Sequence, residues 1–582
     1  MTAWERPWLA NYTHGTAWET PFEAMPVHHL LERTASEKPD APYLEFLGRV
    51  YTYGEVMDLV CRATKGFQKL GVKKGVKVGL FLPNCPQYVV AYYAILKAGG
   101  TVVNFSPLYS ADELAVQVED SETDIMVCLD VASLYATISE VLERTRLKCL
   151  VVGSLARALP PVKGMLYRLF RRREQAEVHI DSRHVSFETL VDNDGRPAPV
   201  QIDPETDLAL LQYTGGTTGR PKGAMLTHAN LTINAQQVAA VDPESATAEQ
   251  RILGALPFFH VFANTVVLNM TTLVGGEIVM LPKFELGQAI KTIRRNKVTV
   301  LPGVPTMYTA MLGHAGRQQD DLATLRVCIS GGAPLPVELK TRFGEATPAT
   351  LVEGYGLTES AGVVSVNPFR GVNKAGSIGL PLPGTDIVIV DKDDPTKVLP
   401  PGEAGELTIG GPQIMRGYWK RDNSDVFVDG RLRTGDVGYI DADGYTFIID
   451  RLKDMITVGG FKVYPRTLEE MLYQHPAVQE ATVIGIPDDY LGQKPKAFVV
   501  LKPDQAGTVD GEALRAWLNS RVAKHERVAE VEVRESLPKT MVGKLSKKEL
   551  VEEEQARHAA ARAAAAAREP EPASAGAGRS KG

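Results

Sequence analysis

The stretch Gln212-Tyr213-Thr214-Gly215-Gly216-Thr217-Thr218-Gly219-Arg220-Pro221-Lys222-Gly223 packs four hydroxyls, four glycines and two cations into a dozen positions. Glycines let a backbone approach a ligand closely and turn its N–H groups inward, an arrangement that suits phosphate. Threonine hydroxyls add donors, and Lys222 supplies charge without demanding fixed geometry. An apolar run at 208–211 leads in and reads as a buried strand. A plain Gly/Thr turn is the structural alternative, but this density of donors favours a phosphate cradle. It is not a Walker loop, because Gly219-Arg220-Pro221-Lys222 breaks the Gly-Lys-Ser/Thr ending.

Other reactive residue types follow apolar runs. Pro257-Phe258-Phe259-His260 sets an imidazole after a strand, where taken alone a histidine is more often a core residue. Val327-Cys328-Ile329-Ser330 ends in Gly331-Gly332-Ala333-Pro334, a junction where backbone can lie against a flat ring. Leu351-Val352-Glu353 leads to Gly354-Tyr355-Gly356-Leu357-Thr358-Glu359. Beside a polyphosphate, that aromatic, hydroxyl and carboxylate can stack on a base, bind a phosphate and hold Mg²⁺.

The elements that must carry these groups alternate in type. Residues 43–46 and 50–53 read as two strands around Gly48, and 53–70 as an amphipathic helix. Segments 76–82, 101–105 and 125–129 read as strands, and Pro86 to Lys97 as a largely buried helix. The alternation predicts an α/β fold of mostly parallel sheets with helices packed on both faces, whose ligands gather at the C-terminal strand ends. Residues 252–276 lack any Asp, Glu, Lys or Arg and are long enough to span a bilayer. Pro257, His260, Asn264 and Asn269 within them fit a buried strand at 251–256 and a core helix better.

Residues 155–173 stand apart. After Pro160-Pro161 a helix would gather Val162, Met165, Leu166, Leu169 and Phe170 on one face, with Lys163, Arg168, Arg171, Arg172 and Arg173 mostly opposite. Such a helix suits the surface of an anionic membrane; the alternative is a solvated helix packed on the body with its charges outward.

The 582 residues, 44% hydrophobic and 23% charged, suit a globular enzyme. A net charge of −6 argues against nucleic acid as a partner. Cys61, Cys85, Cys128, Cys149 and Cys328 are dispersed, as expected of reduced core thiols. The N-terminus shows no basic region followed by an apolar core, so a cytoplasmic location is expected, with residues 160–173 offering attachment to the inner face of the cell membrane.

The cradle together with 354–359, Arg433-Thr434-Gly435-Asp436, Ile449-Asp450-Arg451-Leu452-Lys453-Asp454 and Leu537-Pro538-Lys539-Thr540-Met541-Val542-Gly543-Lys544 resembles the adenylate-forming enzymes: acyl-CoA synthetases, luciferases and peptide-synthetase adenylation domains. The likeness covers roughly 25–553 and is greatest to bacterial long-chain fatty acid–CoA ligases. It implies a fatty-acid-metabolism enzyme using ATP, Mg²⁺ and coenzyme A, which forms acyl-AMP and then the thioester. By resemblance, Thr214, Gly215, Gly216, Thr217, Thr218, Gly219 and Lys222 would hold the β- and γ-phosphates, Thr358 the α-phosphate and Glu359 the Mg²⁺. Gly331, Gly332, Ala333 and Tyr355 would frame adenine, and Asp436 and Arg451 the ribose. Lys544 would bridge the carboxylate and the α-phosphate, and His260 counts with Lys544, Thr358 and Glu359 among the catalytic candidates. A body at 1–450 would carry a small mobile α+β lid at 451–553, hinged at Lys453. The lid would bring first Lys544 and then Gly459-Gly460 to the site.

Some features depart from the family pattern. Asn264 stands where some long-chain enzymes place a tryptophan gate, Lys524-His525-Glu526-Arg527-Val528 lacks the usual proline, and Thr457 replaces the second lysine of luciferases. Residues 546–568 should form a helix with little apolar face beyond Leu550 and Val551, and 573–582 should be disordered. Within the class the alternative is a medium-chain or aryl acid–CoA ligase; outside it, a membrane-associated acyl-binding protein. Homodimerisation stays open.

Overall fold

The computed structural model describes residues 6–566 except 179–180, 215–220, 243, 246, 315, 317, 489, 506 and 541–542. The chain forms two compact units, dividing after Ile448 within the strand Thr446–Arg451, against the expected boundary at 450. Gly543 and Lys544 group with the first unit, and the chain from Leu545 with the second. The expected disordered segment at 573–582 lies outside the described residues.

Among the described residues the first unit holds three sheets. A seven-stranded sheet runs in the order His184–Ser186, Cys149–Gly153, Thr123–Leu129, Lys77–Leu80, Thr101–Asn104, Leu208–Thr214 and Lys222–Thr227. It is parallel except for its last pair, the hairpin that carries the phosphate-binding candidate. A nine-stranded sheet is parallel from Thr350–Tyr355 through Val327–Ser330, Val300–Gly303, Arg251–Gly254 and Glu277–Met280 to Pro42–Phe46, with short antiparallel strands at both edges. A five-stranded sheet built around Arg431–Ile440 completes the unit.

Helix Pro86–Lys97 is buried along almost its whole length and shares one core with Leu80, Val102 and Leu210 of one sheet and Leu44, Leu253 and Val279 of the other. Its weak amphipathicity follows from that position, since both sides face apolar neighbours. Proline at its first turn costs no hydrogen bond. Helix starts are set locally: Thr52 with Glu55 caps Tyr53–Lys69, and Thr227 with Asn230 caps His228–Val241.

The uncharged segment is resolved as strand Arg251–Gly254 followed by Val261–Ala263, a π-helical turn at Asn264–Asn269 and Met270–Val274. Among the described residues no helix is long and apolar enough to cross a membrane.

Helix Pro161–Phe170 leaves both of its faces outward: Val162, Met165, Leu166, Leu169 and Phe170 are 43–78% exposed, and Lys163 and Arg168 are exposed with them. Only Gly164 is buried, and an added Cβ there would lie 2.3 Å from the Ala156 carbonyl oxygen, so the helix sits close on its neighbour. Lys163 Nζ ties it to the Leu47 carbonyl at 2.8 Å.

In the second unit the long hairpin Val478–Asp488/Gly492–Leu501 is flanked by Ile456–Val458, Phe461–Val463 and Glu530–Val533, with helices Pro465–Tyr473 and Gly511–Asn519 on its core. The C-terminal helix Lys548–Ala566 docks more firmly than its composition suggests. Leu550 is fully buried with Phe498 and Leu537, and Glu554 meets buried Lys496 at 3.0 Å. Lys547 pairs with Glu469 at 2.8 Å; burial opposes its charge, but Glu469 and Asp450 outweigh that and hold the ammonium above the ordinary lysine range.

Candidate functional site

Strand Leu208–Thr214 delivers half-buried Thr214, and the return strand Lys222–Thr227 starts with exposed Lys222 directly opposite it. Gly215, Gly216, Thr217, Thr218 and Gly219 lie outside the described residues. The return strand passes straight into its capped helix, whose Asn230 also donates to the Pro412 and Ile414 carbonyls at 2.8 and 3.0 Å. The chain then runs beside the return strand: Arg416 N–H donates to Met225 O, Met225 N–H to Gly417 O, and Trp419 N–H to Gly223 O, at 2.8–3.0 Å.

Tyr418 in this segment is a further candidate site residue, outside the motifs singled out in the sequence. Its hydroxyl donates to Glu359 Oε1 at 2.6 Å, and its ring centre lies 5.1 Å from Lys222 Nζ. Burial, reinforced by the Glu359 charge, pushes the phenol well up, so it stays a donor at neutral pH. The clue in the sequence is Gly417-Tyr418-Trp419, a glycine before two aromatics in a polar loop. Thr358 and Glu359 are half-buried in the short 3₁₀ turn Thr358–Ser360, closed by the Ser360 hydroxyl accepting from Leu357 N–H at 2.9 Å. The Glu359 carbonyl accepts from Met415 N–H at 2.8 Å.

Tyr355 ends strand Thr350–Tyr355, and its hydroxyl donates to Asp436 Oδ2 at 2.6 Å. Asp436 is buried and its own N–H donates to Thr434 Oγ1. Gly331, Gly332 and Ala333 follow strand Val327–Ser330, with Gly331 N–H held by the Gly303 carbonyl at 3.1 Å. The loop beyond is fixed by Glu353, which accepts from Leu335 N–H at 3.2 Å.

The two residues before His260 are pinned from three directions. Asn84 takes Phe258 N–H at 2.8 Å, Tyr88 donates to the Phe258 carbonyl at 2.8 Å, and Gln212 donates to the Phe259 carbonyl at 2.9 Å. Gln212 belongs to the strand that feeds the phosphate hairpin, so one element positions both groups. His260 Nδ1 accepts from Phe262 N–H at 3.3 Å, which leaves the proton of the neutral ring on Nε2. Burial, aided by the Lys544 charge, pulls its pKa down to about 3.

Lys544 meets His260 in a small pocket walled by Leu256, Phe262, Val304 and Gly332. A Cβ on Gly332, whose φ is +78°, would lie 2.5 Å from Lys544 Cε and 2.9 Å from Nζ. Thr306 Oγ1 donates to the Gly543 carbonyl at 2.7 Å, so the chain just before Lys544 is also held. A neutral imidazole and an ammonium in an apolar-walled recess can receive a carboxylate without a second fixed positive charge.

Behind His260 lies a buried polar network rather than a bare apolar channel. Asn264 Oδ1 accepts from the Tyr92 hydroxyl and from Asn269 Nδ2, each at 3.1 Å, and Asn264 Nδ2 has no partner. The π-helical turn that presents Asn264 and Asn269 is the kind of local irregularity found at functional sites.

Arg451 is exposed in the second unit, where Asp450 accepts from the N–H groups of Arg451 and Arg466 at 2.8 and 2.9 Å. Gly459 and Gly460 form the two-residue turn between Ile456–Val458 and Phe461–Val463.

Residues 31–419 match the family described as AMP-binding enzyme, and 467–544 the AMP-binding enzyme C-terminal domain. The chain is 39% identical over 562 residues to a long-chain-fatty-acid–CoA ligase of Bacillus subtilis, covering 95% of this chain and 99% of the relative. It is 35% identical over 521 residues to a feruloyl-CoA synthase from an Amycolatopsis species, covering 89% and 97%. The fold matches the crystal structure of ATP-bound MatB from Rhodopseudomonas palustris with a TM-score of 0.79 and 28% identity, covering 91% of this chain and 99% of that one.

Proposed function

The chain belongs to the AMP-binding enzyme family, and from that premise we propose that it is an ATP-dependent acid–CoA ligase acting on long-chain fatty acids. A fatty carboxylate attacks the α-phosphate of ATP to give acyl-AMP and pyrophosphate. The thiol of coenzyme A then displaces AMP, yielding the activated acyl group on which fatty-acid metabolism draws. The observation that carries the reading is the pocket that joins Lys544, neutral His260 and the glycines after strand Val327–Ser330.

Attack by one anion on another is opposed by charge. Two unit charges about 4 Å apart repel by about 4 kcal/mol at an effective dielectric near 20. Lys544 at Gly332 offsets that repulsion where the carboxylate must approach, while His260 stays neutral and fixes orientation. Thr214, Gly215, Gly216, Thr217, Thr218, Gly219 and Lys222 cradle the β- and γ-phosphates and so hold the leaving group. Thr358 takes the α-phosphate. Gly331, Gly332, Ala333 and Tyr355 frame adenine, and Asp436 with Arg451 receives the ribose hydroxyls. Gly459-Gly460 serves the thiol step, and the smaller unit acts as a mobile lid.

A single carboxylate beside a phosphate grip is a donor set that fits Mg²⁺, which keeps several waters and takes its other oxygens from phosphate. Glu359 would hold the ion, whose bound charge neutralises the triphosphate. Its orientation by Tyr418 supports that assignment.

Likeness to the Bacillus subtilis enzyme supports a long-chain acid. The Tyr92–Asn264–Asn269 network and the likeness to a feruloyl-CoA synthase favour the second reading, a medium-chain or aryl acid. Helix Pro161–Phe170, with its apolar side chains exposed beside Arg168, Arg171, Arg172 and Arg173, suits peripheral binding to an anionic membrane, with each cation adding about 1 kcal/mol. Pyrophosphate release that requires added palmitate tests the enzyme reading; ATP binding with no acid-dependent release would overturn it.

A further inference from the structure

Tyr418 touches both Glu359, assigned to the Mg²⁺, and Lys222, assigned to the β- and γ-phosphates, and its own position is fixed from several sides. Asn423 Oδ1 accepts its N–H at 2.7 Å, and Asn423 Nδ2 donates to its carbonyl at 3.2 Å. The bridge to Ala224 and the neighbouring bonds to Gly223 and Met225 seat it on the return strand of the phosphate hairpin. One ring therefore meets Glu359 through its hydroxyl and Lys222 through its face. A carboxylate that can rotate presents its oxygens to a cation in many ways; one whose Oε1 is held at 2.6 Å presents few. An exposed lysine samples many rotamers, and an aromatic face under its ammonium narrows them.

We propose that Tyr418 is a positioning residue that couples the cation site to the phosphate grip, its hydroxyl orienting Glu359 and its ring steering Lys222 toward the β- and γ-phosphates. The inference rests on the nucleotide-site reading above. It divides the two roles between two parts of one side chain, and Tyr418→Phe and Tyr418→Leu separate them.

The test is calorimetric binding of an α,β-methylene ATP analogue, which cannot be adenylated, by the full chain across a Mg²⁺ titration. Mn²⁺ binding followed by electron paramagnetic resonance gives a second readout. Tyr418→Phe should raise the Mg²⁺ concentration for half-maximal analogue binding by roughly tenfold and weaken Mn²⁺ binding similarly. Its analogue affinity at saturating Mg²⁺ should match the wild type. Tyr418→Leu should show the same cation shift and, in addition, a several-fold loss of analogue affinity at saturating Mg²⁺. A Tyr418→Phe protein with wild-type cation dependence, or one weakened equally at every Mg²⁺ concentration, would overturn the proposal. Failure of the wild type itself to bind the analogue would overturn the nucleotide-site reading, and this inference with it.

Discussion

Replacing Gly332 by alanine should cripple adenylation while leaving the fold nearly intact. The new Cβ would lie 2.5 Å from Lys544 Cε, whereas carbon atoms rest about 3.5–4 Å apart, so the lysine must retreat by about 1 Å. Because the obstructed atoms end a flexible side chain, that retreat is cheap. Holding alanine at a φ of +78° adds roughly 1–2 kcal/mol of backbone cost. A misplacement of about 1 Å at a reacting centre can cost about a hundredfold in rate, or about 2.7 kcal/mol of barrier. Acid-dependent ATP–pyrophosphate exchange should therefore fall about a hundredfold, while thioester formation from supplied acyl-AMP falls much less. Lys544→Ala should show the same asymmetry. If Gly332 acts through the lysine, adding Gly332→Ala to Lys544→Ala should cost little more exchange activity. Wild-type exchange in Gly332→Ala, or a full multiplicative loss in the double variant, would refute the reasoning.

Other perturbations read other parts of the account. Tyr355→Phe removes a 2.6 Å hydrogen bond to buried Asp436 and should raise the KM for ATP about tenfold with a smaller change in kcat; an unchanged KM would detach this pair from nucleotide binding. Changing Leu169 and Phe170 to serine should reduce binding to vesicles containing phosphatidylglycerol while activity on short soluble acids persists, and undiminished binding would dismiss the helix as the membrane contact. Burial holds His228 neutral, its pKa lowered to about 4, with Nδ1 accepting from Val27 N–H at 3.1 Å. Between the ordinary value of 6.5 and about 4 the unfolded chain binds the extra proton, so the stability is complete above pH 6.5 and is lost as pH falls toward 4. His228 should add about 1.4 kcal/mol per pH unit to the slope in that window, and His228→Asn should reduce the slope by about that amount; equal slopes in urea titrations would contradict this.

The parts of the fold legible in the sequence are those decided by near neighbours. Pro86 to Lys97 was bounded by its proline and its apolar run, and the hairpin around Gly48 by its turn. The reactive groups at strand ends were legible for the same reason, since each follows a short apolar run. Tyr418 was hidden because its partner Glu359 is 59 positions away and only tertiary folding joins them. Periodicity assigned an apolar face to helix Pro161–Phe170 but could not say which way it points; the close approach of Gly164 to Ala156 decides that. The π-helical turn at Asn264–Asn269 likewise has no local cue, because its hydrogen bonds to Tyr92 come from another helix. Leu550 and Glu554 anchor a C-terminal helix whose composition reads as unattached.

The central claim is tested most directly by incubating the protein with ATP, Mg²⁺ and coenzyme A and a panel of acids from acetate to oleate, including hexanoate and 4-coumarate, and quantifying each thioester. Palmitoyl- and oleoyl-CoA should be the products formed with the highest kcat/KM. Greater kcat/KM for hexanoate or 4-coumarate would contradict the long-chain assignment, and no thioester from any acid would contradict the ligase itself.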